Sequence, residues 1–195
     1  MSTDQTRGTA WRMFCAFELP ELLRSRIGSH IRWLREAVPE ASASWSRPEN
    51  IHLTVKFFGN VERTRVDALS AAATRVSKVF AEFPIVVGKT GVFSRRAEVL
   101  WIGISDPSGT LAELQQQLEN ECAREGFAKE ARVYRPHLTI ARLRKPHHAR
   151  LIAQTHREAQ FSNVEVILSE LVLFRSELSP KGSRYTAISR HRLEH

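Results

Sequence analysis

The stretches NIHLTVKFFG (50–59) and YRPHLTIARL (134–143) decide how this chain is read. Each holds His-Leu-Thr followed by a branched aliphatic residue, and the two histidines, His52 and His137, stand 85 positions apart. Side chains on a strand point alternately to its two faces. His52 and Thr54 therefore share one face and Leu53, Val55 and Phe57 the other. In the second copy His137 and Thr139 oppose Leu138 and Ile140. The aliphatic residues anchor each strand, and the polar pair is left for water or a site.

The surroundings of the two stretches also repeat. Upstream of the first, Trp11, Met13, Cys15 and Phe17 alternate with Arg12, Phe14, Ala16 and Glu18, a strand covered on both faces. Pro20 opens a helix whose buried stripe is Leu23, Ile27, Ile31 and Leu34. SRPEN (46–50) reads as a turn, and the strand IHLTVKFFG is expected to close at Gly59. Val66, Leu69, Ala73, Val76 and Phe80 mark a second helix. Upstream of the second copy, AEVLWIGI (97–104) is a strand, and Asp106-Pro107 is expected to start a helix striped by Leu111, Leu114, Leu118 and Cys122. Gly126 ends that helix, and a basic loop leads into HLTIARL.

Strand, helix and His-x-Thr strand thus occur twice in the same order, which points to an internal duplication. Further strands are expected at Phe83–Phe93, Val164–Phe174 and Arg184–Arg190. These are too many for a simple doubly wound sheet. The expected fold is α+β: two similar α/β lobes with antiparallel sheets, related by a pseudo-two-fold around a central groove. Residues 11–192 are expected to form this single two-lobed unit, with 1–10 a polar extension and 193–195 a candidate tag remnant.

Composition narrows the classes of function. Charged residues make up 26% of the chain and hydrophobic ones 42%, as in ordinary globular proteins. No apolar run approaches the roughly 18–20 residues that span a bilayer, and MSTDQTRGTA lacks a signal peptide's apolar centre, so a cytoplasmic protein is expected. Cys15 and Cys122 both fall on apolar stripes and read as core residues. A net charge of +8 favours an anionic partner such as nucleic acid or a phosphate ester.

Two facing imidazoles suit acid–base chemistry on a phosphodiester, one ring neutral and one protonated near neutral pH. Two threonine hydroxyls can donate to the non-bridging oxygens. Neither motif contains a third metal ligand, so no metal or cofactor is expected. There is no G-x-S-x-G and no phosphate-binding G-x-x-x-x-G-K-[ST]. His147-His148 reads as part of a solvated loop.

The ordered set FCAFELP, RPENIHLTVKFFGNV, GVFSRRAEVLWIGI, YRPHLTIARL and LVLFRSELSPKGSRYTAI resembles the two-histidine phosphoesterases. The likeness is greatest to the RNA 2′,3′-cyclic phosphodiesterases, also called 2′-5′ RNA ligase-like proteins. That resemblance implies a two-lobed fold and opening of 2′,3′-cyclic phosphate RNA ends to 2′-phosphates. It implies His52 as proton donor, His137 as proton acceptor, and Thr54, Thr139 and Arg142 as phosphate-binding residues.

Strict alternation sets Arg142 opposite His137. A bulge, the strand end or a long reach is needed to bring it to the site. Arg95, Arg96 and Phe58 are candidate RNA contacts; Arg132, Arg144 and Lys145 add charge around the second motif, and Arg135, just before it, reads as structural. RNA ends bearing the cyclic phosphate are the expected partner, with no membrane and no obligate protein partner. The alternatives are an enzyme for a small cyclic nucleotide derivative, a 2′-5′ RNA ligase, and a non-catalytic RNA-binding protein.

Overall fold

The computed structural model describes residues 10–93, 99–144, 148–179 and 182–194. In chain order the elements are β1 (Ala10–Glu18), α1 (Glu21–Ala37), β2 (Ala43–Trp45), β3 (His52–Glu62), α2 (Val66–Ser77), β4 (Phe83–Phe93) and β5 (Val99–Ser105). They continue with α3 (Thr110–Arg124), β6 (His137–Leu143), α4 (Ala149–Glu158), β7 (Val164–Leu168), β8 (Glu170–Ser179) and β9 (Gly182–Arg192).

The strands form two antiparallel sheets, one ordered β3-β1-β8-β9 and the other β2-β6-β5-β4-β7. Without the short β2, the orders correspond strand for strand: β3 with β6, β1 with β5, β8 with β4 and β9 with β7. The α+β fold with two similar lobes is therefore present, and each His-x-Thr strand occupies the same place in its own sheet.

The helices tie the lobes together. α1 leaves β1 of the first sheet but packs on α4, which lies against β4 of the second. α3 leaves β5 of the second sheet but packs on α2 and reaches β3 of the first. Apolar residues from both sheets and all four helices accordingly join one continuous cluster. The stripes Leu23–Leu34 on α1 and Leu111–Cys122 on α3 are buried as their spacing requires.

Several elements depart from the sequence reading. β3 does not stop at Gly59 but runs on to Glu62. Gly59, at φ +74°, sits in a bulge, a conformation glycine adopts without strain, so the strand bends without leaving the sheet. α3 begins at Thr110 rather than at Asp106-Pro107. Asp106 instead closes the preceding turn, its carboxylate accepting the Leu111 N–H at 2.7 Å. Phe80 lies beyond the end of α2 and packs on the core from the following loop.

The expected strand Val164–Phe174 is two strands, β7 and β8, in different sheets, with the chain passing between lobes at Ser169. Both halves are apolar, so only a phase break marks the crossing: Val166 and Leu168 alternate, whereas Leu171 to Phe174 are buried in succession. β2 and α4 were not expected. Leu193, set aside as part of a tag remnant, is buried in the core, and its N–H donates to Ser169 O at 2.8 Å.

Two of the polar contacts between the lobes are buried or half-buried and titratable. Lys56, only 4% exposed, donates to the buried Glu119 carboxylate of α3 and to Ala128 O at 2.9 Å. Glu119 also accepts from the Glu130 N–H and from Gln115. Breaking a buried pair by removing one partner strands the other charge. Lys56→Ala is expected to cost about 3–5 kcal/mol in urea denaturation. Pairing Lys56→Met with Glu119→Leu should recover most of that loss; a loss equal to the single variant's would count against the ion pair.

The second contact joins α1 to α4. His156 Nε2–H donates to Trp101 O at 3.0 Å, so its Nδ1 accepts from His30 Nε2–H at 3.2 Å. Burial, then His156, pushes the His30 pKa from 6.5 down to about 4, and burial lowers His156 as well. A folded pKa below the unfolded one means that the unfolded chain takes up more protons in between. This contribution is complete above about pH 6.5 and is lost as pH falls toward 4. His30→Gln keeps a donor toward His156 and takes up no proton, so it should make unfolding free energy fall less steeply across that window. An unchanged slope would dismiss the pair as the cause.

Candidate active site

β3 and β6 lie against each other, so the sheets meet along the two His-x-Thr strands. The loops before each motif fasten the other one. Tyr134, three residues before His137, donates its hydroxyl to Thr54 O at 3.1 Å. Ser46, six residues before His52, donates its hydroxyl to Thr139 O at 2.8 Å and its N–H to Ile140 O at 2.8 Å. Burial pushes the Tyr134 phenol pKa up, keeping it a donor at any ordinary pH.

Both histidines are fixed in the same way. His52 Nδ1 lies 2.8 Å from Asn50 O, and His137 Nδ1 lies 2.7 Å from Arg135 O. A carbonyl only accepts, so each Nδ1 carries hydrogen, and in the neutral ring Nε2 is the basic nitrogen. Asn50 is itself held, its side-chain amide donating to Ser183 O of β9 at 2.9 Å. Among the described residues no side chain bonds the hydroxyl of Thr54 or Thr139, and both residues are half-buried.

A bulge resolves the position of Arg142. Across β5 and β6, Trp101 pairs with Thr139 and Leu100 with Ala141, so Ile140 is the extra residue. Ile140 and Ala141 are both buried and the alternation slips by one, which returns the exposed Arg142 to the face of His137 and Thr139. β3 carries the same device. Val55 is skipped between the Ala16–Thr54 and Cys15–Lys56 pairs, Lys56 turns inward, and Phe57 joins the His52 face. Phe57 is 48% exposed, with the Arg12 guanidinium 4.6 Å from its ring centre. Phe58, the candidate stacking residue, packs against Phe127 and the core instead.

The two rings have different neighbours. His52 stacks on Phe14 at 4.7 Å, with Tyr185 edge-on at 5.1 Å and Phe174 at 6.3 Å. His137 has Phe93 edge-on at 4.9 Å. Burial lowers both pKa values, and each carbonyl partner partly opposes it. The Arg142 charge lowers His137 further and so favours its neutral form. Among the described residues no three His, Cys, Asp or Glu side chains are grouped to hold a metal.

Of the other basic candidates, Arg132 is paired with Glu130 and Arg144 with the Ser44 hydroxyl. Arg135 contributes its carbonyl to His137, and its side chain is exposed. Arg95, Arg96, Lys145 and His147 lie outside the described residues. Sequence reasoning did not pick out Asn50, Tyr134, Phe14, Phe57, Tyr185, Phe93 or Trp101. The one available signal was Phe14, which alternation already set opposite the core face of β1.

A sequence model of the 2′-5′ RNA ligase superfamily matches residues 24–179. An RNA 2′,3′-cyclic phosphodiesterase of Methanothermobacter thermautotrophicus is 35% identical over 187 residues, covering 93% of this chain and 98% of that protein. One from Escherichia coli K12 is 29% identical over 179 residues, covering 92% and 94%. The crystal structure of E. coli LigT complexed with 3′-AMP superposes with a TM-score of 0.74 at 26% identity, covering 95% of this chain and 99% of that one. No helix among the described residues is long and apolar enough to cross a membrane.

If the Arg142 guanidinium depresses His137 from the same face, removing its charge must raise that pKa. Arg142→Gln is expected to shift the His137 titration upward in an NMR pH series and to leave His52 in place. An unmoved His137 would put the guanidinium elsewhere.

Proposed function

The chain belongs to the 2′-5′ RNA ligase superfamily, and on that footing we propose that it opens 2′,3′-cyclic phosphates at RNA ends to leave a 2′-phosphate. The observation that carries the reading is the matched pair of imidazoles, each fixed through Nδ1 by a backbone carbonyl on strands that lie together.

His137 Nε2 takes a proton from the attacking water, and His52, protonated on Nε2, gives one to the departing O3′. The roles follow the family resemblance, and the Arg142 charge beside His137 supports them, because a base must be neutral. An in-line displacement needs the two rings on opposite flanks of phosphorus, as strands from two facing lobes allow. The hydroxyls of Thr54 and Thr139 and the Arg142 guanidinium stabilise the charge that grows on the non-bridging oxygens. The two imidazoles supply both proton transfers, so no step in this scheme calls for a metal.

An RNA oligonucleotide ending in a 2′,3′-cyclic phosphate, incubated with chelator present, tests the reading. The product is expected to carry a 2′-phosphate. His52→Ala and His137→Ala should each lower turnover by about 10²–10⁴-fold. A predominantly 3′-phosphate product would reverse the assigned bond cleavage. Full activity in either variant would remove that histidine from the chemistry, and loss of activity with chelator would point to a metal.

A further inference from the structure

One cation beside the site has no part in the scheme above. Past the bulge at Ile140, Arg142 is exposed, Leu143 buried and Arg144 exposed again. Arg144 therefore shares the face of His137, Thr139 and Arg142. Its N–H donates to Ser42 O at 2.9 Å, which holds it in register with the chain entering β2.

The side chain of Arg144 is braced from β2. Ser44 stands directly opposite Arg142, and residues opposite each other on antiparallel strands share a face. Its neighbours Ala43 and Trp45 pack on the core, so the Ser44 hydroxyl is set on the groove face. That oxygen accepts from Arg144 Nε at 3.0 Å and from Arg144 Nη2. Both bonds use one edge of the guanidinium. The end fork, Nη1 with the second hydrogen of Nη2, stays open to an anion.

The charges point the same way. Arg75, Arg124, Arg132, Arg175 and Arg190 are each paired with a carboxylate, whereas among the described residues no carboxylate pairs with Arg142 or Arg144. Two positive charges on one face, about 7 Å apart by strand rise, repel each other. The hydroxyl that holds one of them neutralises nothing. Folding stability does not ask for that arrangement, but an anionic chain lying along β6 does.

Resting on the proposed opening of a cyclic phosphate, the anion follows by elimination. The cyclic phosphate has one negative charge and two non-bridging oxygens, which Thr54, Thr139 and Arg142 already serve. The next negative charge in an RNA is the phosphodiester on the 5′ side of the same nucleoside, one ribose away. We propose that Arg144, braced by Ser44, binds that 5′-side phosphate through its end fork. The protein therefore takes the ends of RNA strands in preference to cyclic mononucleotides, which lack that phosphate.

The test compares substrates that all end in a 2′,3′-cyclic phosphate: a dinucleotide, the same dinucleotide with a neutral methylphosphonate linkage, and the mononucleotide. Wild-type kcat/KM is expected to be at least about tenfold higher for the charged dinucleotide than for either of the others. Arg144→Gln should bring that ratio close to one. Arg144→Lys keeps the charge but not the fork and should keep part of it. Ser44→Ala should lower it less than Arg144→Gln does. The methylphosphonate makes the same comparison with the protein unaltered. Calorimetric titration of His52→Ala reads the subsite without turnover, the charged dinucleotide binding at least about fivefold more tightly than the neutral one. Adding Arg144→Gln to that variant should abolish the difference. Equal kcat/KM for the charged and neutral dinucleotides in the wild type, or a wild-type ratio in Arg144→Gln, would overturn the subsite. Opening of none of these substrates, with the binding difference intact, would overturn the proposed function instead and uphold the subsite.

Discussion

The site depends on a reciprocal fastening. The loop entering each His-x-Thr strand bonds to the backbone of the other: Tyr134 to Thr54, and Ser46 to Thr139 and Ile140. These are short-range bonds between partners distant in sequence, and they act at the threonines rather than at the imidazoles. Each motif is therefore positioned by the chain that leads to its counterpart. Asn50 extends the scheme, because the residue whose carbonyl orients His52 is tied through its own side chain to β9.

The strands themselves were legible because two polar residues with period two, written twice on apolar strands, have no packing explanation. The helical stripes on α1 and α3 were legible for a similar reason, since aliphatic spacings of three and four are hard to produce by accident. What stayed hidden depended on a change of phase or on a weak pattern. The bulges at Val55 and Ile140 shift the side chains just after them to the other face, and nothing in the residue types announces them. That one-residue slip is why Phe57 rather than Phe58 faces the groove, and it is what brings Arg142 round. α4 buries mainly Ala149, Ile152, Ala153 and His156, too little aliphatic surface to stand out among its charges.

The two halves are similar, and the surroundings of their histidines differ. Where the second copy has Arg142, the first has Phe57. Where His137 meets one aromatic edge and a nearby cation, His52 lies within a cluster of Phe14, Phe174 and Tyr185. Both rings keep the same carbonyl bond through Nδ1, so the tautomer is common and the environment is what differs. Perturbing two like groups in different ways is how a fold separates an acid from a base.

The crossing of α1 and α3 onto each other's lobes bears on motion. Jaws that swing about a hinge need a boundary that few contacts cross. Here any rotation of one sheet away from the other would drag a helix out of a shared apolar cluster. The groove is thus a fixed mould, its donors and dipoles aimed before anything arrives, and little reorganisation is left for the moment of reaction. A groove whose walls are tied in this way cannot widen to admit an occupant, so whatever enters must already fit it.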